Sequence, residues 1–279
     1  MPTPRVAAIQ DLSAFGRCSL TIIMPALSAM GIQCCPVLTA YLSTHTGGFG
    51  NNTFLDLTDE MEPVMRHWKE LDLRFDAVFS GFMGSTRQMD ITAEFLRSFR
   101  RGNCIAVVDP VMGDNGKLYR TYTPEMCAKL SELAAQADVI TPNRTEASIL
   151  LGIPYEELRL EGEEQCAGWA RALSMGGQRS VVLKGVAFGA DRVGAVCFDH
   201  TDGSVSFASA PRVAGEFHGT GDLFASVLTG GLIKGKSLQE SVQWAADFVS
   251  VCAGYTLKQG TPRREGIDFE PLLWQLGGR

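Results

Sequence analysis

Apolar and polar positions follow two recurring patterns along the chain. Short apolar runs predict strands, and longer stretches with apolar residues three or four positions apart predict helices. The predicted strands are 5–10, 35–41, 77–80, 105–108, 139–141, 180–183, 193–198 and 204–208. The predicted helices are 19–30, 58–71, 86–100, 124–136, 145–151, 163–175, 222–233 and 238–257. This alternation favours an α/β fold with right-handed crossovers and a mostly parallel sheet covered by helices on both faces.

The chain shows no linker, repeat or low-complexity tract, so we expect residues 1–279 to form a single domain. The last two predicted strands flank Asp202-Gly203, a turn typical of antiparallel hairpins. The tail from Gln259 onward contains Pro262 and Pro271 and is expected to wrap the surface.

Composition excludes several classes of protein. The formal net charge is −6 with no run of Lys and Arg, which argues against nucleic acid as the main partner. The eight cysteines lack C-x-x-C spacing and the four histidines are not paired at helical spacing, so a zinc site is not expected. No stretch reaches the roughly 18 apolar residues needed to span a bilayer, and the segment 1–5 lacks the apolar core of a signal peptide. We therefore expect reduced thiols and a cytoplasmic protein without a membrane partner.

The segment Gly219-Thr220-Gly221-Asp222 carries the strongest chemical signal. It opens the predicted helix 222–233, and the unpaired amides and dipole at a helix N-terminus favour an anion. An aspartate is costly beside a bound anion unless it has a task, and accepting a proton from an attacking hydroxyl is such a task. The alternative is plain helix capping by Asp222, worth about 0.5–2 kcal/mol.

Polar segments follow the predicted strands at the edge where open α/β sheets bind ligands. They are 11–17, 42–50, 80–82, 109–114, 141–146 and 184–185. The glycine-rich segment 42–50 is a candidate lid, in which His45 either stacks on or hydrogen-bonds a ligand or is an inert loop residue.

Four of these strand-end residues offer the hard oxygen ligands that suit Mg²⁺: Asp109, Asp114, Asn143 and Glu146. Turn formation before Pro110 is the alternative for Asp109, and helix capping is the alternative for Asn143. Lys184 ends an apolar strand, where it either contacts phosphate or extends to solvent.

The segment 230–237 matches the P-loop pattern G-x-x-x-x-G-K-[ST]. A working P-loop follows a strand, whereas Leu223, Val227 and Leu228 before it repeat at helical spacing. Ser237 and Glu240 also form the S-x-x-E capping box of the next helix. We therefore interpret this segment as a joint between two helices.

From about Val6 to Leu257 the chain resembles the ribokinase-like superfamily, a three-layer α/β fold, and within it the pyridoxal (vitamin B6) kinases. The motifs that carry the resemblance are Gly219-Thr220-Gly221-Asp222, Asp109-Pro110-Val111-Met112-Gly113-Asp114 followed by Tyr119, Thr141-Pro142-Asn143 with Glu146, His45-Thr46, and Ser80-Gly81-Phe82. Two pocket positions depart from the better-known B6 kinases. Asp11, with Ser13 two residues on, stands where they carry a serine that touches the pyridine, and Phe82 stands where they carry a tyrosine.

The resemblance implies ATP-dependent phosphorylation of the 5′-hydroxymethyl group of pyridoxal, pyridoxine or pyridoxamine. It implies Asp222 as general base and the amides of Gly219, Thr220 and Gly221 as the anion hole. The implied ATP contacts are Asp114, Tyr119, Thr141, Asn143, Glu146 and Lys184, with Mg²⁺ near Asp114 and Glu146. The implied substrate contacts are Asp11, Ser13, His45, Thr46 and Phe82. Because the family commonly forms homodimers, a homodimer is expected.

The nearest alternative is a hydroxymethylpyrimidine kinase of thiamin synthesis. A sugar kinase is less favoured because the loop around Thr46 lacks the Gly-Gly-Asn pairs of sugar-binding relatives. From another class, a regulator or vitamin carrier without turnover is disfavoured by the presence of Asp222. A dinucleotide-binding dehydrogenase is disfavoured because no G-x-G-x-x-G follows the first strand.

Overall fold

A computed structural model describes residues 2–278. The strands are β1 Arg5–Phe15, β2 Gln33–Thr44, β3 Phe54–Asp56, β4 Ala77–Ser80, β5 Ile105–Val108, β6 Gly113–Asp114, β7 Lys117–Leu118, β8 Val139–Ile140, β9 Ser180–Phe188, β10 Arg192–Phe198 and β11 Val205–Pro211. The α-helices are α1 Leu20–Ala29, α2 Thr58–Glu70, α3 Thr86–Phe99, α4 Pro124–Ala134, α5 Arg144–Leu151, α6 Glu163–Leu173, α7 Thr220–Ile233 and α8 Leu238–Gln259. Two 3-10 segments follow, Arg263–Glu265 and Glu270–Leu276.

Within residues 2–278, nine strands form one sheet in the order β11-β10-β9-β8-β5-β4-β1-β2-β3. The pairs from β2 through β1, β4, β5 and β8 to β9 are parallel, and antiparallel strands lie at both edges. The chain goes from β1 to β2 on one side and later places β4 on the other side of β1. The β1–β4 boundary is therefore a switch point, where the carboxyl ends of the strands open a crevice for ligands.

Successive residues of β1 face opposite layers of helices. Val6 and Ala8 belong to a core that includes residues of α1, α7 and α8. Ala7 and Ile9 belong to a core that includes residues of α2, α3 and α4. A third core packs α5 and α6 against β8, β9 and β10. The prediction of a mostly parallel sheet with helices on both faces is confirmed.

Capping chemistry sets the ends of several helices. Asn143 and Glu146 form a reciprocal capping box at the start of α5, and Gly152 ends it in the left-handed conformation. Ser237 and Glu240 form the predicted capping box of α8. The P-loop-like segment therefore joins α7 to α8, as the helical spacing before it predicted.

The structure differs from the sequence-based elements in several places. β9 continues to Phe188, so Lys184 and Gly185 lie within a strand rather than at its end, and β2 continues to Thr44, into the predicted loop 42–50. β1 continues to Phe15, so Asp11 and Ser13 lie within a strand rather than in a loop after it. β3 and the β6–β7 hairpin were not predicted, because each strand has three residues or fewer and is mostly exposed. The tail was wrongly expected at the surface alone, since Ile267, Phe269 and Leu276 are fully buried in the core with α1, α7 and α8.

No helix in the described part of the chain combines the length and the apolar content that crossing a bilayer requires. All eight cysteines are free in the structure.

Candidate active site

A cavity of about 820 Å³ opens above the carboxyl ends of β1, β4, β5, β8 and β9. It brings together residues from segments far apart in the chain, which is what the switch point predicts. The predicted site residues on its wall are Asp11, Ser13, His45, Thr46, Phe82, Asp114, Tyr119, Asn143, Glu146, Lys184, Gly219, Thr220, Gly221 and Asp222. Of the predicted residues, Thr141 alone lies off the wall, behind Asp109.

Gly219 starts α7 in the left-handed conformation, with a φ of 80°. No side chain caps this helix, so its first amides stay available at the cavity wall. A methyl group on Gly219 would lie 2.3 Å from Ile22 Cδ1 and 2.5 Å from the Arg17 carbonyl oxygen. Glycine is therefore required both by the backbone conformation and by the close approach of the turn before α1. The result is a helix N-terminus suited to an anion.

Asp222 lies in the first turn of α7 and is held by groups from the start of the chain. Its Oδ2 accepts a hydrogen bond from the Ser19 amide at 2.8 Å and a weaker one from Cys18 Sγ at 3.5 Å. Its Oδ1 accepts one from Gln10 Nε2 at 3.5 Å. Burial raises the pKa of Asp222 to about 6, and the nearby carboxylates of Asp109 and Asp11 add to this effect. A carboxylate tuned upward in this way is suited to act as a general base near neutral pH.

Lys184 and Asp109 form a buried ion pair beside the N-terminus of α7. Lys184 Nζ donates to Asp109 Oδ1 at 2.9 Å, and the same oxygen accepts from Thr141 Oγ1 at 2.7 Å. Burial alone would lower the pKa of Lys184, but the carboxylates of Asp109 and Glu146 outweigh it and raise that pKa above its usual value. A methyl group on Gly221 would lie 3.8 Å from Lys184 Nζ, so the ammonium adjoins residues 219–221, which we call the anion loop.

Glu146 adds a second buried carboxylate to this wall. Its Oε2 accepts the Asn143 amide at 2.7 Å, and Asn143 Nδ2 donates to the Gly113 carbonyl at 2.9 Å. Burial raises the pKa of Glu146, and the neighbouring Asp109 raises it further. We call this wall, made of Asp109, Asn143, Glu146, Lys184 and residues 219–222, the phosphate side.

The phosphate side is short of positive charge, because one ammonium faces the buried carboxyl groups of Asp109 and Glu146 and the half-buried one of Asp222. This imbalance fits a divalent cation that enters with a nucleotide, since Mg²⁺ in such sites takes only one or two protein carboxylates. In residues 2–278, no group of three or more His, Cys, Asp or Glu side chains is arranged to hold a metal ion without further ligands. The predicted pair of Asp114 and Glu146 shares the cavity wall, with Asp114 exposed and Glu146 buried.

Asp114 and Tyr119 stand on either side of the β6–β7 hairpin. Asp114 Oδ1 accepts the amide of Asn115, whose φ of 51° makes the tight turn. The Tyr119 amide donates to the Met112 carbonyl, and its side chain is 38% exposed at the cavity. The hairpin therefore presents an aromatic ring and a carboxylate at the mouth of the cavity.

On the opposite wall, Asp11 is buried and both of its oxygens are engaged. Ser13 Oγ donates to Asp11 Oδ2 at 2.9 Å, and Ser19 Oγ donates to Asp11 Oδ1 at 2.5 Å. Burial raises the pKa of Asp11, and the two hydroxyl hydrogen bonds oppose that rise. A carboxylate held in this way is suited to a cationic or hydrogen-bond-donating group of a ligand.

The loop after β2 lies against the C-terminal segment of the chain. His45 Nε2 lies 2.6 Å from the Arg264 carbonyl oxygen, and His45 Nδ1 accepts the Gly47 amide at 3.1 Å. These two bonds place the ring proton on Nε2, and burial lowers the pKa of His45 further toward the neutral form. His45 also packs on His218, at 4.6 Å between ring centroids. The ring therefore anchors the loop, while Thr46 is exposed beside it.

Gln10 was not singled out from the sequence, yet it links two predicted site residues. Its Oε1 accepts the Phe82 amide at 2.7 Å, which turns its Nε2 toward Asp222. A methyl group on Gly81 would lie 1.9 Å from that Nε2, so glycine makes room for the amide. We call the wall formed by Gln10, Asp11, Ser13, His45 and Phe82 the ring side.

Cys18 and Ser19 are further cavity residues that the sequence reasoning missed, whereas His218 was expected to flank the site and lies on the cavity wall. Cys18 was interpreted only as one of the reduced thiols, and Ser19 only as the first residue of the predicted helix 19–30. Their contacts join positions about 200 residues apart, and no local pattern signals such pairs. The positive φ of Ser19, 52°, was not predicted either, since serine is an ordinary residue before a helix.

Several known proteins are similar to this chain in sequence and fold. Residues 24–265 match the family model of phosphomethylpyrimidine kinase. A Bacteroides thetaiotaomicron protein, named as a candidate phosphomethylpyrimidine kinase and crystallised with pyridoxal, is 38% identical, with a TM-score of 0.92 over 98% of this chain and 96% of that one. Pyridoxal kinase from Lactobacillus plantarum is 32% identical, with a TM-score of 0.88 over the same shares of the two chains.

Some curated relatives are named as pyridoxal kinases and others as hydroxymethylpyrimidine/phosphomethylpyrimidine kinases. A hydroxymethylpyrimidine/phosphomethylpyrimidine kinase of Haemophilus influenzae is 31% identical over 185 residues, covering 64% of this chain and 65% of the relative. The chain spans about half the length of several other curated relatives, 44–47%. The predicted resemblance to the ribokinase-like superfamily and its pyridoxal kinases is confirmed, and the chain belongs to the phosphomethylpyrimidine kinase family.

Proposed function

We propose that this protein transfers the γ-phosphoryl group of ATP to the 5′-hydroxymethyl group of a B6 vitamer. The observation that carries the proposal is the position of Asp222, which shares one cavity wall with the uncapped N-terminus of α7 and with Lys184. A base, an anion site and a cation beside one another are the groups that phosphoryl transfer to an alcohol requires.

In the proposed reaction, Asp222 accepts the hydroxyl proton as the substrate oxygen attacks the γ-phosphorus. A new P–O bond to the substrate forms, the bond to the β-phosphate oxygen breaks, and ADP leaves with the electron pair. The amides of Gly219, Thr220 and Gly221 stabilise the charge on the transferred group, and Lys184 adds a positive charge beside them. Positioning and electrostatic stabilisation account for most catalysis of this kind.

The remaining predicted contacts divide between the two walls. Asn143, Glu146, Asp114 and Tyr119 are proposed to hold the nucleotide, and Thr141 to support it through Asp109. Glu146 and Asp114 would hold Mg²⁺, which supplies charge neutralisation to the phosphates when bound. Asp11, Ser13, His45, Thr46 and Phe82 are proposed to hold the ring.

Support for a B6 vitamer comes from the ring side and from the comparisons. The carboxylate of Asp11 is suited to a protonated pyridine nitrogen or to the amine of pyridoxamine. The Bacteroides thetaiotaomicron relative, which covers nearly the whole chain, was crystallised with pyridoxal. A hydroxymethylpyrimidine kinase is the second candidate, since the Haemophilus influenzae relative carries that activity in its name and the family model is named for the related phosphomethylpyrimidine kinase. An aminopyrimidine also offers donors to a carboxylate.

A substrate panel tests the proposal. Pyridoxal, pyridoxine, pyridoxamine, hydroxymethylpyrimidine and its monophosphate are each incubated with ATP and Mg²⁺, and ADP release and product mass are measured. We expect the highest kcat/KM with a B6 vitamer. A higher value with hydroxymethylpyrimidine would favour the second candidate, and no phosphorylated product from any compound would refute a kinase of either type.

The role assigned to Asp222 is tested in the same assay. Asp222→Ala is expected to lower kcat by roughly 10²–10⁴-fold, with ATP binding by calorimetry largely retained. The matched control is Asp247→Ala, which removes an exposed carboxylate of α8 and should leave turnover unchanged. Normal turnover by Asp222→Ala would show that the assignment is wrong.

A further inference from the structure

The turn between β1 and α1 adopts a backbone conformation that its sequence does not favour. Ser19 has a φ of 52° and a ψ of −132°, a region normally occupied by glycine. The residue is buried at the cavity wall and is the N-cap of α1. Strained residues of this kind persist only where the surrounding structure holds them, and they cluster at functional sites.

Ser19 does not use its hydroxyl for the usual N-cap role. A serine in this position ordinarily accepts a hydrogen bond from an amide of the first helical turn, and no such bond is present at α1. Its Oγ instead donates to Asp11 Oδ1 at 2.5 Å, and its amide donates to Asp222 Oδ2 at 2.8 Å. One residue therefore bonds a ring-side carboxylate through its side chain and a phosphate-side carboxylate through its backbone.

The surroundings of Ser19 hold the turn in place. Thr21 Oγ1 donates to the Cys18 carbonyl at 2.7 Å, and the Arg17 amide donates to the Glu265 carbonyl at 2.9 Å. The close approach of Gly219 to the Arg17 carbonyl brings the anion loop against the same turn. The turn is thus fixed to the C-terminal segment and to the start of α7, which carries Asp222.

The conformation of Ser19 has a direct consequence for the direction of its amide. With a negative φ, which serine ordinarily prefers, the peptide N–H would point elsewhere, and Asp222 would lose its shortest hydrogen bond. The hydroxyl bond to the buried carboxylate of Asp11 opposes that relaxation. Strain at Ser19 is therefore tied to the placement of both carboxylates.

We propose that Ser19 is a positioning residue that couples Asp11 to Asp222. It keeps the carboxylate that binds the ring in a fixed position relative to the carboxylate that accepts the proton. This inference rests on the proposed function. It assigns two separable tasks to one residue: the hydroxyl orients Asp11 for the ring, and the left-handed backbone aims the amide at Asp222.

Glycine and alanine at this position separate the two tasks. Ser19→Gly removes the hydroxyl but accepts the backbone conformation without strain, so the amide still reaches Asp222. We expect KM for the ring substrate to rise roughly 10-fold through loss of a hydrogen bond to a charged group, with kcat within about 3-fold of wild type. Ser19→Ala removes the hydroxyl and keeps the steric cost of a Cβ, so the turn relaxes and the amide turns away. We expect the same rise in KM and, in addition, a fall in kcat of roughly 10-fold or more.

The pH profile gives a second readout that a merely structural role would not move. The groups that face Asp222 are Asp11, Cys18, Asp109, Lys184 and Tyr119. The Ser19 amide lowers the pKa of Asp222, so its loss in Ser19→Ala should move the acid limb of kcat/KM to higher pH. In Ser19→Gly the limb should stay near its wild-type position. The matched control is Met175→Gly, which relieves a positive φ of 55° at an exposed residue and should change neither kcat nor KM.

Crystal structures of wild type and both variants keep this test independent of turnover. The proposal requires Asp11 to lose its position in both variants and Asp222 to lose its position only in Ser19→Ala. Equal kinetics for the two variants, or unmoved carboxylates in both, would overturn it. A wild-type enzyme that phosphorylates no compound in the panel would instead refute the proposed function, while the positions of the carboxylates would still decide the structural coupling.

Discussion

The phosphate side and the ring side of the cavity hold their polar groups in different ways. On the phosphate side, charged groups lie on or beside regular elements and bond one another, as in the pair of Lys184 and Asp109 or the capping box of Asn143 and Glu146. On the ring side, Asp11 is held by nearby hydroxyls, but Gln10 and His45 are held by backbone atoms of distant segments, the Phe82 amide and the Arg264 carbonyl. Stabilising a charged transferred group depends on fixed charges, whereas recognising a ring depends on shape, which several segments supply together.

Family membership also bears differently on the two sides of the cavity. The phosphate side contains most of the motifs that carry the resemblance. The ring side contains the two departures, Asp11 and Phe82, and the glycine-rich loop anchored by His45. The phosphoryl chemistry therefore follows from one wall, and the choice between a B6 vitamer and hydroxymethylpyrimidine depends on the other.

The largest effect is expected when Lys184 of the phosphate side is replaced. Lys184→Met leaves the carboxylate of Asp109 buried without its cation, and we expect a loss of about 3–5 kcal/mol in the free energy of unfolding. Turnover should fall roughly 10²–10³-fold because a positive charge beside the anion loop is gone. Denaturant unfolding and steady-state kinetics measure the two effects.

The double variant Lys184→Met/Asp109→Asn distinguishes the two roles of the lysine. Removing the unpaired carboxylate should restore most of the stability, because the uncompensated buried charge is gone. Turnover should stay low, because the charge at the anion site is still missing. Recovery of both quantities would mean that Lys184 serves only the fold.

A smaller effect is expected when the ring side is broken at Gly81. Gly81→Ala places a methyl group 1.9 Å from Gln10 Nε2, which displaces the amide from Phe82 and from Asp222. We expect a loss of about 1–3 kcal/mol in the free energy of unfolding, typical of overpacking. We also expect KM to rise more for the ring substrate than for ATP.

The matched control is Gly168→Ala in α6, where a methyl group meets no atom within 4 Å. An alanine in this exposed helical position should stabilise the protein by about 0.5–1 kcal/mol and leave both KM values unchanged. An equal rise in KM for ATP and for the ring substrate in Gly81→Ala would argue against a separate ring side.

The pH dependence of kcat/KM for the ring substrate tests the role of Asp222 between the two sides. Asp222 must be deprotonated to accept a proton, and its pKa is raised to about 6. The value of kcat/KM for the ring substrate should therefore be constant well above pH 6 and fall about tenfold per pH unit below it, since this ratio reports the free enzyme. Pyridoxine and pyridoxamine differ in their own ionisations and serve as a check. If the pH at which kcat/KM begins to fall differs between the two substrates, the ionisation responsible belongs to the substrate rather than to Asp222.

The sequence by itself determined the layer order, the helix and strand types and the chemical character of the site. The strands Ala77–Ser80 and Ile105–Val108 lie where their apolar runs predicted, because a strand buried on both faces needs a continuous apolar run. The anion loop before α7 was also predicted from the sequence, since glycine and a helix start are local signals.

Only the tertiary structure decided how the site residues are held. Gln10 and Ser19 reach Asp222 across more than 200 positions, and a hydrogen bond between such distant residues has no counterpart in local periodicity. The burial of the tail through Phe269 depends likewise on a surface assembled by α1, α7 and α8. Local propensity selects elements one segment at a time, whereas the positions of Asp11 and Asp222 depend on contacts that exist only after those segments have packed.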